Sequence, residues 1–259
     1  MVRAFVINLD TDTERMAFMA RQLDALGIPY ERFAALRGES VPAKEYDAEA
    51  ARSTGGHALI PGELGCAASH KRIYEQVLAR GLPYALVLED DVELPRNFAE
   101  IVEEEVARNR GQWEYLLFDY WEPGMPFLNR WFKSVGSTIH ASRKNPFVLA
   151  WHVLYALAKV PYIVPLSIFE GIRNAYKRMH PGPVVFYRPL FLAGAYLVSQ
   201  EGARKLLSLS DPIIYTADAL PNEARRRRGL AFKAYAPCIV RQEKARFGSS
   251  ILHLPGSAT

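Results

Sequence analysis

A run of five apolar residues followed at once by three acids places the tightest constraint on the fold of this chain. Residues 84–88 read Tyr-Ala-Leu-Val-Leu, and Glu89, Asp90 and Asp91 come directly after them. A strand without polar alternation is buried on both faces. Such strands occur where helices cover both faces of a mainly parallel sheet. The run therefore predicts a central strand that carries three carboxylates at its carboxyl end.

Strand and helix patterns alternate before and after this run. Residues 3–9 predict a first strand, and the helix that follows has an apolar face, a capping box formed by Thr11 and Glu14, and an end at Gly27. The other predicted elements are a helix from residues 62–65 to Gly81, a helix over 97–108, a strand over 113–118, a strand over 193–199, a helix over 200–209 and a strand near 238–240. This order predicts an α/β fold with helices on both faces of the sheet.

The segment between the strands at 113–118 and 193–199 has a different composition. Residues 130–190 contain nine Lys or Arg and one acid, Glu170, so they carry +8 in a chain whose total is +4, and the rest sums to −4. We therefore predict a basic, helical insertion over 120–190. Its aromatic residues are Trp131, Phe132, Phe147, Trp151, Tyr155, Tyr162, Phe169, Tyr176 and Phe186.

Basic residues beside aromatic ones have two interpretations here. They suit contact with an anionic membrane surface or with a phosphorylated glycolipid. The alternative is an ordinary helical subdomain that covers the sheet and has a basic outer face. The longest apolar tract, residues 145–170, is interrupted by His152, Lys159, Pro161 and Pro165. It falls short of the roughly 20 clean apolar residues of a spanning helix, so we expect no membrane crossing.

The first ten residues and the cysteine content indicate a reducing compartment. The apolar run at the N-terminus is too short for the centre of a signal peptide, which predicts a cytoplasmic chain, with the inner face of the membrane as a further possibility. Cys66 and Cys238 are the two cysteines, and no His cluster at ligand spacing accompanies them. We interpret both as small core residues, and we expect neither a disulfide nor a structural zinc site.

The three adjacent carboxylates predict a divalent cation. Side chains at the carboxyl ends of strands project into the ligand site of open α/β sheets. Adjacent carboxylates raise one another's pKa unless a cation neutralises them, and hard cations prefer oxygen ligands. Mn²⁺ or Mg²⁺ with a diphosphate fits this pattern. The alternative is that Asp90 or Asp91 caps the next helix while Glu89 is a solvated turn residue.

Four separated sequence blocks carry a resemblance to a known family. They are FVINLDTDTERM near the start, GELGCAASH at 62–70, LVLEDDV at 86–92 and AGAYLVSQEGARKLL at 193–207. In order and spacing they resemble glycosyltransferase family 25, which includes bacterial lipopolysaccharide and lipooligosaccharide glycosyltransferases and the collagen galactosyltransferases. The resemblance covers about residues 2–119 and 190–242 and leaves the basic insertion unexplained.

The resemblance implies a GT-A type, Rossmann-like catalytic domain over residues 1–259. It implies transfer of a hexose, usually galactose, from a UDP-sugar to a glycan acceptor hydroxyl, with inversion at the anomeric carbon. The family's metal-binding acidic motif carries over onto Glu89, Asp90 and Asp91. Asp91 is the first choice for metal contact, Glu89 reaches the ribose or a metal-bound water, and Asp90 contributes to nucleotide binding.

Inversion in a single displacement requires a base for the acceptor hydroxyl. The candidates are Asp218, which lies in a segment similar to a short family motif, and Asp119, at the end of a strand on the same rim. His70 is less favoured. The alternatives are that Asp218 and Asp119 cap helices and that His70 is a packed, hydrogen-bonded histidine.

Nucleotide recognition is expected on the first strand and the turn after it, as the resemblance implies for GT-A folds. It points to Asn8, Leu9 and Arg15, whose guanidinium can fork to a phosphate; a solvated helix position is the alternative for Arg15. Glu63 and Gly65 are expected to shape the loop under the donor sugar, with Gly65 allowing close backbone approach. Ser69 and His70 recur as a pair in the family, and the resemblance points to His70 as a donor contact.

Two further function classes stay open from the sequence. A protein of the same fold without turnover would bind UDP-sugar or carbohydrate and release no UDP. A Mg²⁺-dependent phosphoryl-transfer enzyme would act without a sugar donor. The four arginines of residues 225–228 are interpreted as a solvated basic run, because no stacking platform or recognition motif for nucleic acid accompanies them.

Overall fold

The computed structural model describes residues 2–120 and 145–247, together with isolated positions between 133 and 140. In chain order the helices and strands are β1 (Arg3–Asn8), α1 (Thr13–Leu26), β2 (Tyr30–Ala34), 3₁₀ turns at Gly38–Ser40 and Ala43–Glu45, α2 (Ala48–Gly55), α3 (Pro61–Ala79), β3 (Tyr84–Glu89), β4 (Val92–Glu93), α4 (Phe98–Arg108), β5 (Tyr115–Leu117), α5 (Pro146–Met179), β6 (Gly182–Val184), β7 (Ala195–Ser199), α6 (Gln200–Leu207), α7 (Leu220–Arg228), β8 (Phe232–Ala236), β9 (Arg241–Gln242) and α8 (Lys244–Phe247).

The main sheet has seven strands in the order β2-β1-β3-β7-β5-β8-β6. β1 pairs in parallel with β2 and β3, and β5 pairs in parallel with β8. β7 lies antiparallel between β3 and β5. β4 and β9 form a separate two-stranded ribbon. The largely parallel α/β sheet predicted from the sequence is confirmed.

Alternate residues of the central strands face opposite layers of the core. In β3, Ala85 and Val87 pack with residues of α3, α6 and α7, whereas Leu86 and Leu88 pack with residues of α1 and α4. This is the period-2 geometry of a strand, and both faces are apolar because each is covered by helices. The predicted burial of the 84–88 run is therefore confirmed for residues 85–88. Tyr84, at the start of the strand, is half-buried.

Two local predictions are wrong. The first helix is capped at Asp12 without a side-chain hydrogen bond, and the hydroxyl of Thr11 donates to the Asp12 carboxylate, so the Thr11 and Glu14 box does not form. The strand near 238–240 is also misplaced, because the last strand of the sheet is β8 and residues 238–240 form the connection to β9. The half-buried Lys233 interrupts the apolar pattern of β8 in the sequence.

The chain divides into two compact units, residues 1–120 with 183–259, and residues 121–182. The second unit lies within the insertion predicted over 120–190, and its long helix α5 is the helical structure expected there. Trp131 and Phe132 lie outside the described residues.

Helix α5 is bent by 47° between Pro146–Pro161 and Ile163–Met179. Proline lacks the backbone N–H of the helical ladder and clashes with the preceding turn, which accounts for a kink at Pro161. Among the described residues no single helix has the length and apolar character of a membrane span, and the two halves of α5 meet that criterion only as a bent pair.

Candidate active site

The carboxyl ends of β1, β3 and β5 meet at one edge of the sheet. Asn8 ends β1, Glu89 ends β3, and Asp119 follows β5. The antiparallel β7 begins at the same edge, where the Glu89 amide donates to the Gly194 carbonyl at 2.7 Å. The sequence prediction that these polar residues share one rim is confirmed by the strand directions. We call this rim the acidic edge.

Asp90 is buried and fully engaged with groups of β1 and α1. Its Oδ2 accepts from Asn8 Nδ2 at 2.7 Å, and its Oδ1 accepts from the Arg15 guanidinium at 3.0 Å. Burial raises the pKa of Asp90, while the hydrogen bonds from Asn8 and Arg15 act in the opposite direction. Asp90 therefore fixes the turn after β3 to the start of α1. It does not cap the next helix, because α4 is capped at Asn97.

Arg15 joins both aspartates of the turn. Its Nη1 lies 3.0 Å from Asp90 Oδ1 and 3.6 Å from Asp91 Oδ2, and its Nη2 donates to the Phe247 carbonyl at 3.1 Å. The side chain is buried, so the alternative of a solvated helix residue is wrong. The guanidinium thus brings positive charge to the centre of the acidic edge.

The turn after β1 is held by a basic residue that the sequence analysis did not single out. Arg32 Nε donates to Asn8 Oδ1 at 2.8 Å, and its Nη2 pairs with Asp10. Asn8 Nδ2 also donates to the Asp12 carbonyl at 2.9 Å. Leu9 is half-buried within this turn. Arg32 leaves a third of its side chain exposed, so it offers a cation on the outer side of the predicted nucleotide-binding turn.

Glu89 faces two residues of α3. Its Oε1 lies 3.7 Å from His70 Nε2 and 3.8 Å from Cys66 Sγ, and its Oε2 accepts from Gln242 Nε2 at 3.0 Å. Its side chain is 23% exposed, so the alternative of a solvated turn residue does not describe it. Cys66 and His70 are four residues apart on α3 and therefore lie on one face of that helix.

His70 is buried and held by an aromatic pair. Its Nδ1 lies 2.7 Å from the Tyr196 hydroxyl, which donates in turn to the Tyr74 hydroxyl at 3.2 Å. The imidazole also stacks on the Tyr196 ring. The alternative of a packed, hydrogen-bonded histidine is correct for Nδ1, whereas Nε2 is directed to the Glu89 carboxylate.

Asp218 approaches the same group of residues from the segment before α7. Burial raises the pKa of the Cys66 thiol well above its usual value, and the negative charges of Glu89, Asp218 and Asp91 raise it further. Three carboxylates from two distant stretches of sequence therefore act on one thiol. Asp218 Oδ1 accepts from the Thr216 hydroxyl at 2.5 Å. The helix-cap alternative is wrong, because α7 is capped at Ala219 without a side-chain hydrogen bond.

Asp119 binds the backbone at the start of β7. Its Oδ2 accepts from the Gly194 amide at 3.0 Å and its Oδ1 from the Ala195 amide at 2.9 Å. Burial raises the pKa of Asp119 to about 8, the charge of Glu89 raises it as well, and the two amide hydrogen bonds lower it. A Cβ on Gly194 would lie 2.6 Å from Asp119 Oδ2, so glycine is required there.

The remaining predicted residues shape the start of α3. Glu63 Oε2 accepts from the Ile60 amide at 3.0 Å, and the Ser69 hydroxyl accepts from the Leu36 amide and donates to the Gly65 carbonyl. A Cβ on Gly65 would lie 2.4 Å from the Leu36 carbonyl oxygen. The predicted close backbone approach at Gly65 is confirmed, and the backbone it meets is the loop after β2.

Besides Arg32, the sequence analysis missed three residues that contact the acidic edge, namely Cys66, Tyr196 and Gln242. The four-residue spacing of Cys66 and His70 is a readable signal for a shared helix face. Gln242 is 153 residues from Glu89 and carries no local signal. The arginine run ends α7, where Arg226, Arg227 and Arg228 are exposed as predicted, and Arg226 and Arg227 form ion pairs with Glu223.

Comparison with known proteins identifies the family. The model of glycosyltransferase family 25 (LPS biosynthesis protein) matches residues 1–221. The chain belongs to glycosyltransferase family 25. The match covers the residues of the acidic edge described above except Gln242 and Phe247, and it confirms the resemblance drawn from the four sequence blocks.

The curated relatives of this family 25 chain match over shorter stretches. Lacto-N-neotetraose biosynthesis glycosyltransferase LgtE of Neisseria meningitidis is 35% identical over 104 residues, which are 39% of this chain and 36% of that protein. A glycosyltransferase 25 family member of Anopheles gambiae is 31% identical over 126 residues, 44% of this chain and 21% of that protein. The matches thus span about a fifth to a third of these relatives' length.

Two further similarities were found, one to a curated protein and one to a solved structure. The inactive glycosyltransferase 25 family member 3 of Mus musculus is 42% identical over 64 residues, 24% of this chain and 11% of that protein. A solved glycosyltransferase involved in glycosylation of the major capsid of PBCV-1 aligns over 91% of this chain and 82% of that chain, with 10% identity and a TM-score of 0.38. That structural likeness is too distant to support an argument.

Proposed function

We propose that this family 25 chain transfers a hexose, galactose being the first candidate, from a UDP-sugar to a hydroxyl of a lipopolysaccharide-type glycan, with inversion at the anomeric carbon. The observation that carries the proposal is the acidic edge, where Asn8 ends β1, Glu89 ends β3, and Asp90 and Asp91 follow Glu89 within reach of Arg15. The relative LgtE, whose printed name refers to lacto-N-neotetraose biosynthesis, supports a glycan acceptor.

The donor set at the acidic edge fits a divalent cation. Glu89 and Asp91 supply carboxylate oxygens, the ligands that Mn²⁺ and Mg²⁺ prefer. Asp91 would hold the cation, with Glu89 beside it. When bound, such a cation supplies Lewis-acid stabilisation of the negative charge that develops on the diphosphate. Asn8, Leu9 and Arg32 line the turn proposed to hold the nucleotide.

Asp218 is the proposed base. It would take the proton of the acceptor hydroxyl as that oxygen attacks the anomeric carbon, and the bond to the diphosphate would break in the same step. The Thr216 hydroxyl orients one of its carboxylate oxygens. We favour Asp218 over Asp119, because both oxygens of Asp119 are engaged with backbone amides and the side chain is buried.

The test is a thermal-shift panel of nucleotide sugars with and without Mn²⁺. We expect stabilisation by UDP-galactose with Mn²⁺, and loss of the Mn²⁺-dependent part in Asp91→Ala. Glu93→Ala, an exposed acid two residues further along, is the matched control and should respond as the wild type does. A wild-type response in Asp91→Ala would overturn the metal assignment.

A family 25 protein without turnover is the second candidate. It is favoured by one observation, the 42% identity over 64 residues to a mouse relative named inactive. Release of UDP separates the two: the proposed transferase liberates UDP in the presence of a glycan acceptor, whereas a binding protein shows the same thermal shift and liberates none. A control without sugar donor tests the phosphoryl-transfer alternative.

We further propose that α5 contacts an anionic membrane surface from the cytoplasmic side. Phe147 and Trp151 are 86% and 67% exposed, and basic residues such as Lys159 and Arg178 are exposed on the same helix. Aromatic and cationic side chains together favour the headgroup region of anionic bilayers. Flotation with anionic but not zwitterionic vesicles is expected, and equal behaviour with both would contradict this contact.

A further inference from the structure

Three side chains of different chemistry point to one place below the acidic edge. The potential ligand atoms of Cys66, His70 and Glu89 all lie within 4.8 Å of one another. Two of the three come from successive turns of α3, and the third ends the central strand β3. Thiol, imidazole and carboxylate form a ligand set that Zn²⁺ accepts and that Mg²⁺ does not prefer.

The Nε2 atom of His70 faces this place without a hydrogen-bond partner. The other ring nitrogen, Nδ1, lies 2.7 Å from the Tyr196 hydroxyl, so that side of the ring is held. His70 is 1% exposed, and Nε2 has no hydrogen-bond partner among the described residues. A buried polar atom without a partner is costly, and a metal ion bound to Nε2 would satisfy it.

Two outer groups orient the ligands. Tyr196 fixes the imidazole through Nδ1, and Gln242 Nε2 holds Glu89 Oε2, which leaves Oε1 directed at Cys66 and His70. Metal-binding histidines and carboxylates in proteins are held by outer hydrogen bonds of this kind.

The distances are close to those of a zinc site. Zinc binds sulfur at about 2.3 Å and nitrogen or oxygen at about 2.0–2.2 Å, so ligand atoms of a tetrahedral site lie about 3.3–3.6 Å apart. Glu89 Oε1 is 3.7 Å from His70 Nε2 and 3.8 Å from Cys66 Sγ. These two distances are within a few tenths of an ångström of the tetrahedral values, and the Cys66 and His70 ligand atoms lie within 4.8 Å of each other.

We propose that Cys66, His70 and Glu89 bind a thiophilic divalent cation, Zn²⁺ by preference, with the fourth position open. Binding breaks the Cys66 S–H bond, releases the proton to solvent and forms a metal–sulfur bond, so about one proton leaves per ion bound. The inference is independent of the proposed sugar transfer. Because Glu89 also borders the proposed donor site, Zn²⁺ is expected to reduce the Mn²⁺-dependent response to UDP-sugar.

The experiment uses the chelator-treated full chain, with equilibrium dialysis against Zn²⁺ and the absorption spectrum with Co²⁺ as readouts. We expect one ion per chain and a thiolate-to-cobalt charge-transfer band. Cys66→Ser should lose the band and weaken Zn²⁺ binding at least about tenfold. Cys238→Ser is the matched control and should behave as the wild type does, because Cys238 Sγ contacts the backbone carbonyls of Phe118 and Val240 instead.

Two further variants keep the test decisive if Cys66→Ser does not fold. Glu89→Gln should weaken Zn²⁺ binding and keep the charge-transfer band at saturating Co²⁺. Tyr196→Phe, at a positioning residue, should weaken binding by about 10- to 100-fold and also keep the band. No bound ion in the wild type, a band that depends on Cys238, or unchanged affinity in Glu89→Gln would each overturn the proposal.

Discussion

Arg15 and Asp90 form a buried ion pair that ties the first helix to the turn after the central strand. The Nη1 to Oδ1 distance is 3.0 Å, and each side chain is 10% exposed. The pair spans 75 residues of sequence. It positions Asp91, the proposed metal ligand, because the same guanidinium lies 3.6 Å from Asp91 Oδ2.

Removal of Arg15 should destabilise the fold strongly. Truncating one partner of a buried ion pair leaves an uncompensated charge and typically costs about 3–5 kcal/mol. We expect a loss in this range for Arg15→Ala in urea denaturation. Arg3→Ala removes the pair with Glu31, whose side chains are 50% and 31% exposed, and should cost less than about 1 kcal/mol. Equal losses in the two variants would contradict the assignment.

The stability of the fold should fall with pH because of Asp119. Its pKa is about 8 in the folded state against 3.8 as the reference value, so the folded chain holds a proton that the unfolded chain releases. The contribution of Asp119 to the free energy of unfolding is then largest below about pH 4, falls as the pH rises, and is lost above about pH 8. Denaturant titrations across this range should show a smaller decline in Asp119→Asn.

The control for this pH dependence is Asp24→Asn, at an exposed position of α1. It should retain the wild-type decline. The interpretation fails if Asp119→Asn retains it too. Below about pH 4 Asp119→Asn should be less stable than the wild type, because the amide cannot accept from both Gly194 and Ala195, and an unsatisfied buried donor costs about 1–3 kcal/mol.

Gly65→Ala should destabilise the fold, because the packing around Gly65 outweighs the higher helix propensity of alanine. The added Cβ would lie 2.4 Å from the Leu36 carbonyl oxygen, so α3 must shift from the loop after β2. Overpacking of this kind costs about 1–3 kcal/mol. Gly55→Ala, at a helical position with open space, should be neutral or stabilise by up to about 1 kcal/mol. Thermal denaturation of the two variants is the measurement, and a stabilised Gly65→Ala would contradict the packing.

Asp218→Asn should separate turnover from donor binding. Loss of a general base lowers kcat by about 100-fold or more, whereas donor affinity depends on other residues. UDP release and the thermal shift with UDP-sugar measure the two quantities on the same sample. Glu201→Gln, an exposed acid on α6, is the control with normal turnover. A parallel loss of donor affinity in Asp218→Asn would assign this residue to binding instead.

Local pattern was sufficient for much of the fold. The uniform apolar run before Glu89 identified the central strand, and strand ends placed Asn8, Glu89 and Asp119 on one rim. These inferences succeed for two reasons. A strand that is buried on both faces has a local sequence pattern, and the carboxyl ends of parallel strands lie at the same edge of a sheet. The family match over residues 1–221 agrees with them.

The partners of the site residues could not be predicted in the same way. Gln242 donates a hydrogen bond to Glu89, and the charge of Asp218 raises the pKa of Cys66. Both relationships arise from the tertiary fold, and no sequence periodicity indicates them. The antiparallel entry of β7 between β3 and β5 is likewise a property of topology. The sequence analysis assigned Arg15 to phosphate binding because of its charge. Its burial could not be predicted, because it depends on Asp90, which lies 75 residues away.

The double hydrogen bond from Asp119 to the start of β7 has a consequence for the evolution and engineering of this chain. It joins the chain after β5 to the start of β7 at Gly194, although more than 70 residues lie between them in sequence. The last part of this stretch belongs to the sheet, because it forms β6 and places Val184, Phe186 and Leu190 in the core. Exchange of residues 121–181 alone for the corresponding stretch of a relative, with β6 and the Asp119 contacts retained, is therefore a rational route to new acceptor preferences.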